Sequence, residues 1–168
     1  MKSMVRNGFT LIELLVVIAI IGLLSAVVLV SLNTARAKAR DAQRKEEMLS
    51  IQQALQLYAN DHNGSYPVSS GWNGYGVGNC GGLAGTLTGA SGYIPNLAPT
   101  YISVLPVDPN FVSQSCAGYI YNSDGTNYKF LDHVLPESYP SVNQTFYDPV
   151  RPTWAWMICS GEPACSTW

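Results

Sequence analysis

Between Phe9 and Leu32 a single ionisable side chain, Glu13, stands in an otherwise uncharged and mostly apolar run of 24 residues. A carboxylate inside a membrane segment costs about 2.5–3.5 kcal/mol at mid-bilayer, so a residue of this kind needs a function or a partner. Two readings are open. Glu13 either sits shallowly, reaching toward the interface beside the positive end of a helix dipole, or is neutralised by a specific cation in a low-dielectric setting. Elsewhere the residues able to do chemistry are sparse: two histidines, His62 and His133, and four cysteines, Cys80, Cys116, Cys159 and Cys165.

The element that must position Glu13 is set by its neighbours. As a helix the run FTLIELLVVIAIIGLLSAVVLVSL is about 36 Å long, enough to cross a hydrocarbon core of about 30 Å. It is apolar on every face for most of its length, unlike the amphipathic helix of a soluble core, so membrane residence is expected. A cleaved secretory signal is the rival, because Lys2 and Arg6 give a basic start and Ala35-Arg36-Ala37 has the A-x-A form. The run exceeds the usual h-region of about 7–15 residues, carries an acid near its start, and is followed by a site that contains Arg. Secretory cleavage is therefore not expected.

The whole chain has 168 residues, a net charge of −2, 47% hydrophobic and 12% charged residues, which fits one ordinary domain plus an appendage and excludes a disordered chain. Charge is split unevenly. Residues 1–45 carry +5 and the remainder −7. No overall positive field exists to attract a phosphate backbone, so nucleic acid is not expected as a partner.

Gly8-Phe9-Thr10-Leu11-Ile12-Glu13, with a short basic leader before it and the apolar run after it, closely resembles the class III signal of type IV pilins and type II secretion pseudopilins. The resemblance implies that a peptidase/methyltransferase on the cytoplasmic face cuts after Gly8 and N-methylates Phe9. It further implies that Glu13 pairs with a terminal amine during filament assembly. The residue chemistry agrees: Gly8 offers no side chain to obstruct a peptidase, and cleavage creates an ammonium at Phe9 that needs a counter-charge in lipid. A Glu13 carboxylate and a neighbouring subunit's Phe9 ammonium would fix axial register. One departure is Val30, where well-known pilins carry a helix-breaking Pro; Gly22 does match, and Gly22 and Ser25 are the weak points left for a kink.

Beyond Leu32 the helical pattern continues as an amphipathic one, with Met48, Ile51, Leu55 and Tyr58 on one face and Ala54 and Leu57 on its flank. Arg36, Lys38, Arg40, Asp41, Arg44, Lys45, Glu46 and Glu47 are expected to solvate the other faces. Asn60 to Gly64 is the stop signal. The expected fold class is α+β: a long N-terminal helix, apolar then amphipathic, packed against a small C-terminal antiparallel sheet as in pilins. The resulting division is 1–8 leader, 9–32 membrane and filament-core helix, 33–62 amphipathic stem, and 63–168 globular region.

Within the globular region, residues 69–92 hold nine glycines and read as a long surface loop. Gly74 to Gly78 lacks the Lys-Ser/Thr pair and following helix of a phosphate loop. Tyr119–Tyr121 and Tyr128–Phe130 flank Asp124-Gly125 as a hairpin, and Trp154–Ile158 is a further strand. The segments Tyr58–Pro67 and Leu105–Pro109 resemble pseudopilin sequence at the helix-to-loop junction and ahead of the C-terminal sheet.

The four cysteines allow three pairings and show no C-x-x-C spacing of a zinc site. Two disulfides are expected, Cys159 with Cys165 and Cys80 with Cys116. Asp124, Asp132 and Asp148 lack a calcium-loop pattern and read as turn and surface acids. No nucleophile–base grouping involves either histidine, so no enzyme, cofactor or metal is expected.

The resemblance thus implies a structural filament subunit of a type IV pilus or pseudopilus. It would be a single-pass precursor in the bacterial cytoplasmic membrane and later part of an extracellular or periplasmic homo-oligomer, dealing indirectly with an assembly platform and ATPase. The five basic residues after the apolar run argue for the opposite topology by the positive-inside rule; the cysteines and the processing signature outweigh them. The alternative is a minor subunit at the tip, an adhesin or DNA-uptake component, presenting Trp72, Tyr75 and Tyr93 from a mobile loop.

Overall fold

A computed structural model of the chain describes residues 9–76, 82, 84–112 and 116–168. Contacts divide the chain into two units, Met1–Ala39 and Arg40–Trp168. Helix α1, Leu11–Asp61, supplies nearly all of the first unit's described residues and the opening element of the second. In the first unit every residue from Leu11 to Leu32 is exposed, and the helix is long and apolar enough to cross a membrane. Apolar side chains on all faces leave this segment nothing of its own to bury against, as the composition requires.

The second unit is α+β. The last part of α1 lays Met48, Ile51, Ala54 and Leu55 into the core, while Leu57, expected on the flank of that stripe, is 54% exposed. The helix ends where the sequence signals a stop. Gly64 N donates to Ala59 O at 2.8 Å, and Asn63 and Gly64 take φ of 53° and 83°. A left-handed residue combined with a bond reaching back five residues is the Schellman arrangement that satisfies terminal carbonyls.

Five strands follow in the order β2-β1-β3-β4-β5: β1 Asn73–Tyr75, β2 Ala84–Gly85, β3 Gly118–Ser123, β4 Tyr128–His133 and β5 Ala155–Cys159. All neighbours are antiparallel except the short edge pair β1–β2. The β3–β4 hairpin closes through residues 124–127, where Asp124 Oδ1 accepts Thr126 N at 2.8 Å and Asn127 N at 2.7 Å and Gly125 takes φ 93°. Alternation puts Tyr119, Tyr121, Tyr128, Phe130, Trp156 and Ile158 in the core with the helix stripe. A short helix α2, Ala164–Thr167, follows β5.

The glycine-rich segment is not simply a surface loop. It carries β1 and β2, and it folds Tyr93 and Ile94 into the core at 0% exposure. The glycines serve close backbone approach: a Cβ on Gly85 would lie 2.3 Å from Tyr93 N, and one on Gly82 2.3 Å from the Trp72 carbonyl carbon. Glycine content signals either freedom or tight contact, and the partner backbone decides which.

Candidate functional site

The start of α1 is a reciprocal cap. Thr10 N and Thr10 Oγ1 donate to Glu13 Oε2 at 2.9 and 2.8 Å, and Glu13 N donates back to Thr10 Oγ1 at 3.3 Å. This is the capping box, in which the N-cap hydroxyl and the carboxylate three residues on each satisfy the other's backbone N–H. Two orphan donors of the first turn are covered, and one oxygen of Glu13 is fixed in direction. Among the described residues its other oxygen, Oε1, accepts no hydrogen bond. Phe9, next to the cap, is 88% exposed. Gly8 and the leader lie outside the described residues. The T-x-x-E spacing is a helix-start signal in the sequence, and it adds a partner within the chain to the two expected for Glu13, the helix dipole and an outside cation.

The second unit holds a charged cluster that sequence reasoning missed. Asp41 and Arg44 are buried rather than solvated, at 6% and 0% exposure. Arg44 Nε and Nη2 reach the two oxygens of Asp108 at 2.6 and 3.2 Å, and Nη1 reaches Asp41 Oδ1 at 2.8 Å. Asp41 also receives Glu137 N at 3.0 Å and Ser138 Oγ at 2.6 Å, and Asp108 receives Asn110 N at 2.6 Å. Arg40 pairs with Glu137 at the rim. Burial opposes the charge on Arg44, but the hydrogen bonds and charge of Asp108, with the hydrogen bond to Asp41, outweigh it and hold the guanidinium protonated. The signal was present: 44, 48, 51 and 55 share one helix face, so the apolar stripe extends back to Arg44.

A second buried pair lies on the far side of the sheet. Lys129 Nζ sits 2.9 Å from Asp148 Oδ1 and 2.9 Å from the carbonyl oxygen of Trp168, with both side chains fully buried. Burial nonetheless lowers the Lys129 pKa, with Asp148 opposing it. Arg151 lies over the rings of Trp72 and Trp154, 5.1 and 5.7 Å from their centroids.

The remaining expectations divide. Asp132 and Asp148 are buried acids, not surface ones, and Asp124 caps its own turn. The three therefore face different tasks, and among the described residues no group of three acidic, His or Cys side chains could hold a metal ion. Cys159 and Cys165 form a disulfide. Cys116 is disulfide-bonded as well, while Cys80 lies outside the described residues. His62 stacks on Tyr58 near the end of α1, and His133 lies on β4 beside Trp154, so the structure does not bring them together in one catalytic group. Of the three aromatic residues expected to be displayed, Tyr75 is 38% exposed, Trp72 is half-buried under Arg151, and Tyr93 is wholly in the core, bonded to Pro106 O at 2.9 Å.

Comparison with known proteins agrees with the helix start. The family described as the prokaryotic N-terminal methylation motif matches residues 3–29. The type II secretion system core protein G of Aeromonas hydrophila is 33% identical over 69 residues, covering 41% of this chain and 48% of that protein. The chain thus spans about half the length of the curated relative it matches. No solved structure matches it. The chain carries a prepilin-type methylation motif and is similar to type IV pilins and pseudopilins.

Proposed function

We propose that this protein is a structural subunit of a pilin-type filament, polymerised through its apolar helix after removal of residues 1–8 and N-methylation of Phe9. The observation that carries this reading is the capped carboxylate of Glu13 at the head of a helix with no buried residue from Leu11 to Leu32. An apolar rod exposed on every face needs lipid as a precursor and like rods in a polymer. A neighbour's Phe9 ammonium at Glu13 Oε1 would neutralise both groups where an unpaired one is strongly penalised. The methylation motif over residues 3–29 supports the processing step, and the similarity to a secretion-system core protein supports filament assembly within such a machine.

In this reading the precursor is a single-pass protein of the cytoplasmic membrane, and the second unit lies outside the cytoplasm. The basic residues after the apolar run count against that topology, and the processing motif over residues 3–29 supports it.

The test is the intact mass and N-terminus of the mature chain, together with electron microscopy of sheared surface material. A chain beginning at methylated Phe9 and found in fibres is the expected result. A leader-bearing monomer with no fibres would refute the proposal.

A further inference from the structure

Asp132 is fully buried, and among the described residues neither of its carboxyl oxygens has a hydrogen-bond partner. Its position explains the isolation. On β4 it follows Tyr128 and Phe130 along the core face, and it stands between Tyr119 of β3 and Trp156 of β5 in register. From α1 it faces Arg44, whose Nε is 3.2 Å from Asp132 Oδ2, and Asp41; Arg40 lies behind them and Glu47 beyond, bonded to the Tyr119 hydroxyl. From the loops it faces Asp108 and Tyr139, while Glu137 approaches Arg44 Nη1 at 3.8 Å.

Around Arg44 the structure therefore gathers three buried carboxyls, Asp41, Asp108 and Asp132, against one guanidinium. Arg44 aims its donors at Asp108 and Asp41, which also take backbone and hydroxyl donors, so both are served as anions. Among the described residues nothing donates to Asp132. A third anion here would be a buried charge with no hydrogen bond, the arrangement that proteins avoid by neutralising the group. A neutral Asp132 has a proton to give, and the Asp108 carboxylate is the neighbouring acceptor.

We propose that Asp132 is a buried, neutral carboxylic acid that keeps its proton and donates a hydrogen bond to the Asp108 carboxylate, which makes the Arg44 cluster a pH-sensitive clamp between α1 and β4. Burial and the Asp108 charge both push the Asp132 carboxyl well above the usual carboxylate range, and Arg44 offsets this only in part. The sign follows. The folded chain keeps a proton that the unfolded chain releases above about pH 3.9, so the contribution of this group falls as pH rises toward the folded pKa. This clamp lies wholly within the second unit and does not rest on the filament reading.

The test compares thermal unfolding of the full chain in detergent with that of Asp132→Asn, which stays neutral at every pH. Equal midpoints near pH 4, and a variant more stable by about 4 °C or more at pH 8, are expected. A variant less stable by the same margin at pH 8, or a difference that does not change with pH, overturns the proposal. Infrared spectra supply a reading that needs no variant to fold. Wild type at pH 7 should show the carbonyl stretch of a protonated carboxylic acid, and its absence refutes the claim. Persistence of that band in a folded Asp132→Asn protein places the proton elsewhere and refutes it too.

Discussion

Thr10 N donates to Glu13 Oε2 across 2.9 Å while Glu13 N donates to Thr10 Oγ1 across 3.3 Å, so the acid at the head of the apolar helix is already engaged within its own chain. This bears on both readings of an isolated charge in lipid. Glu13 serves its own helix through one oxygen, and among the described residues the other accepts no hydrogen bond.

Removing the carboxylate should therefore separate two tasks. Glu13→Ala is expected to give a membrane-inserted, leader-processed chain whose yield of sheared filaments falls to background by electron microscopy. Filaments at the wild-type level would eliminate the assembly role. Thr10→Ala leaves the carboxylate but opens the cap, and faster amide exchange at Leu11 to Leu14 is the expected signature.

Arg44 is the only cation among three interior carboxyls, so its loss leaves uncompensated buried charge. Arg44→Met is expected to cost about 3–5 kcal/mol, read as a fall in the unfolding midpoint. Arg40→Ala, at the partly exposed rim, should shift the midpoint far less. Similar effects from both would show that burial does not set the energetics.

Close backbone approach at Gly85 leaves no room for a side chain, since the added Cβ would sit 2.4 Å from Tyr93 Cα. Gly85→Ala should destabilise the second unit by about 1–3 kcal/mol and loosen Tyr93 from the core. Greater tyrosine accessibility to solvent quenchers would report it, and an unchanged midpoint would contradict it.

His133 is held neutral by burial, which outweighs its bond to the Cys116 carbonyl and places its pKa below the ordinary 6.5. The unfolded chain then binds the proton more readily, so stability is lost as pH falls below about 6.5 toward the folded pKa. His133→Gln should flatten that part of the pH profile. The slope is taken as the difference from wild type, because Asp132 contributes with the opposite sign.

The Cys159–Cys165 bridge closes a loop with a separation of six residues just ahead of the carbonyl that Lys129 holds. Replacing both with Ser should remove about 2 kcal/mol and expose the last turn to carboxypeptidase. Resistance equal to wild type would show that the Lys129 and Arg151 bonds alone secure it.

The apolar span, the T-x-x-E start, the stop at Asn60 to Gly64 and the β3–β4 hairpin were all legible in the residues, because each depends on neighbours within a few positions. Local periodicity, capping and turn chemistry act before any tertiary contact forms.

Burial of charge was decided only by the fold. Arg44 and Asp108 are 64 positions apart, and although the helix period puts Arg44 on the apolar face, nothing beside either residue names its partner. The same holds for Lys129 with Asp148, for Tyr93 beneath its glycine-rich segment, and for Asp132 without a donor. Whether a polar side chain faces water or the core depends on which distant segment covers it, and a partner's charge, unlike a helix period, leaves no trace in the chain beside the residue it neutralises.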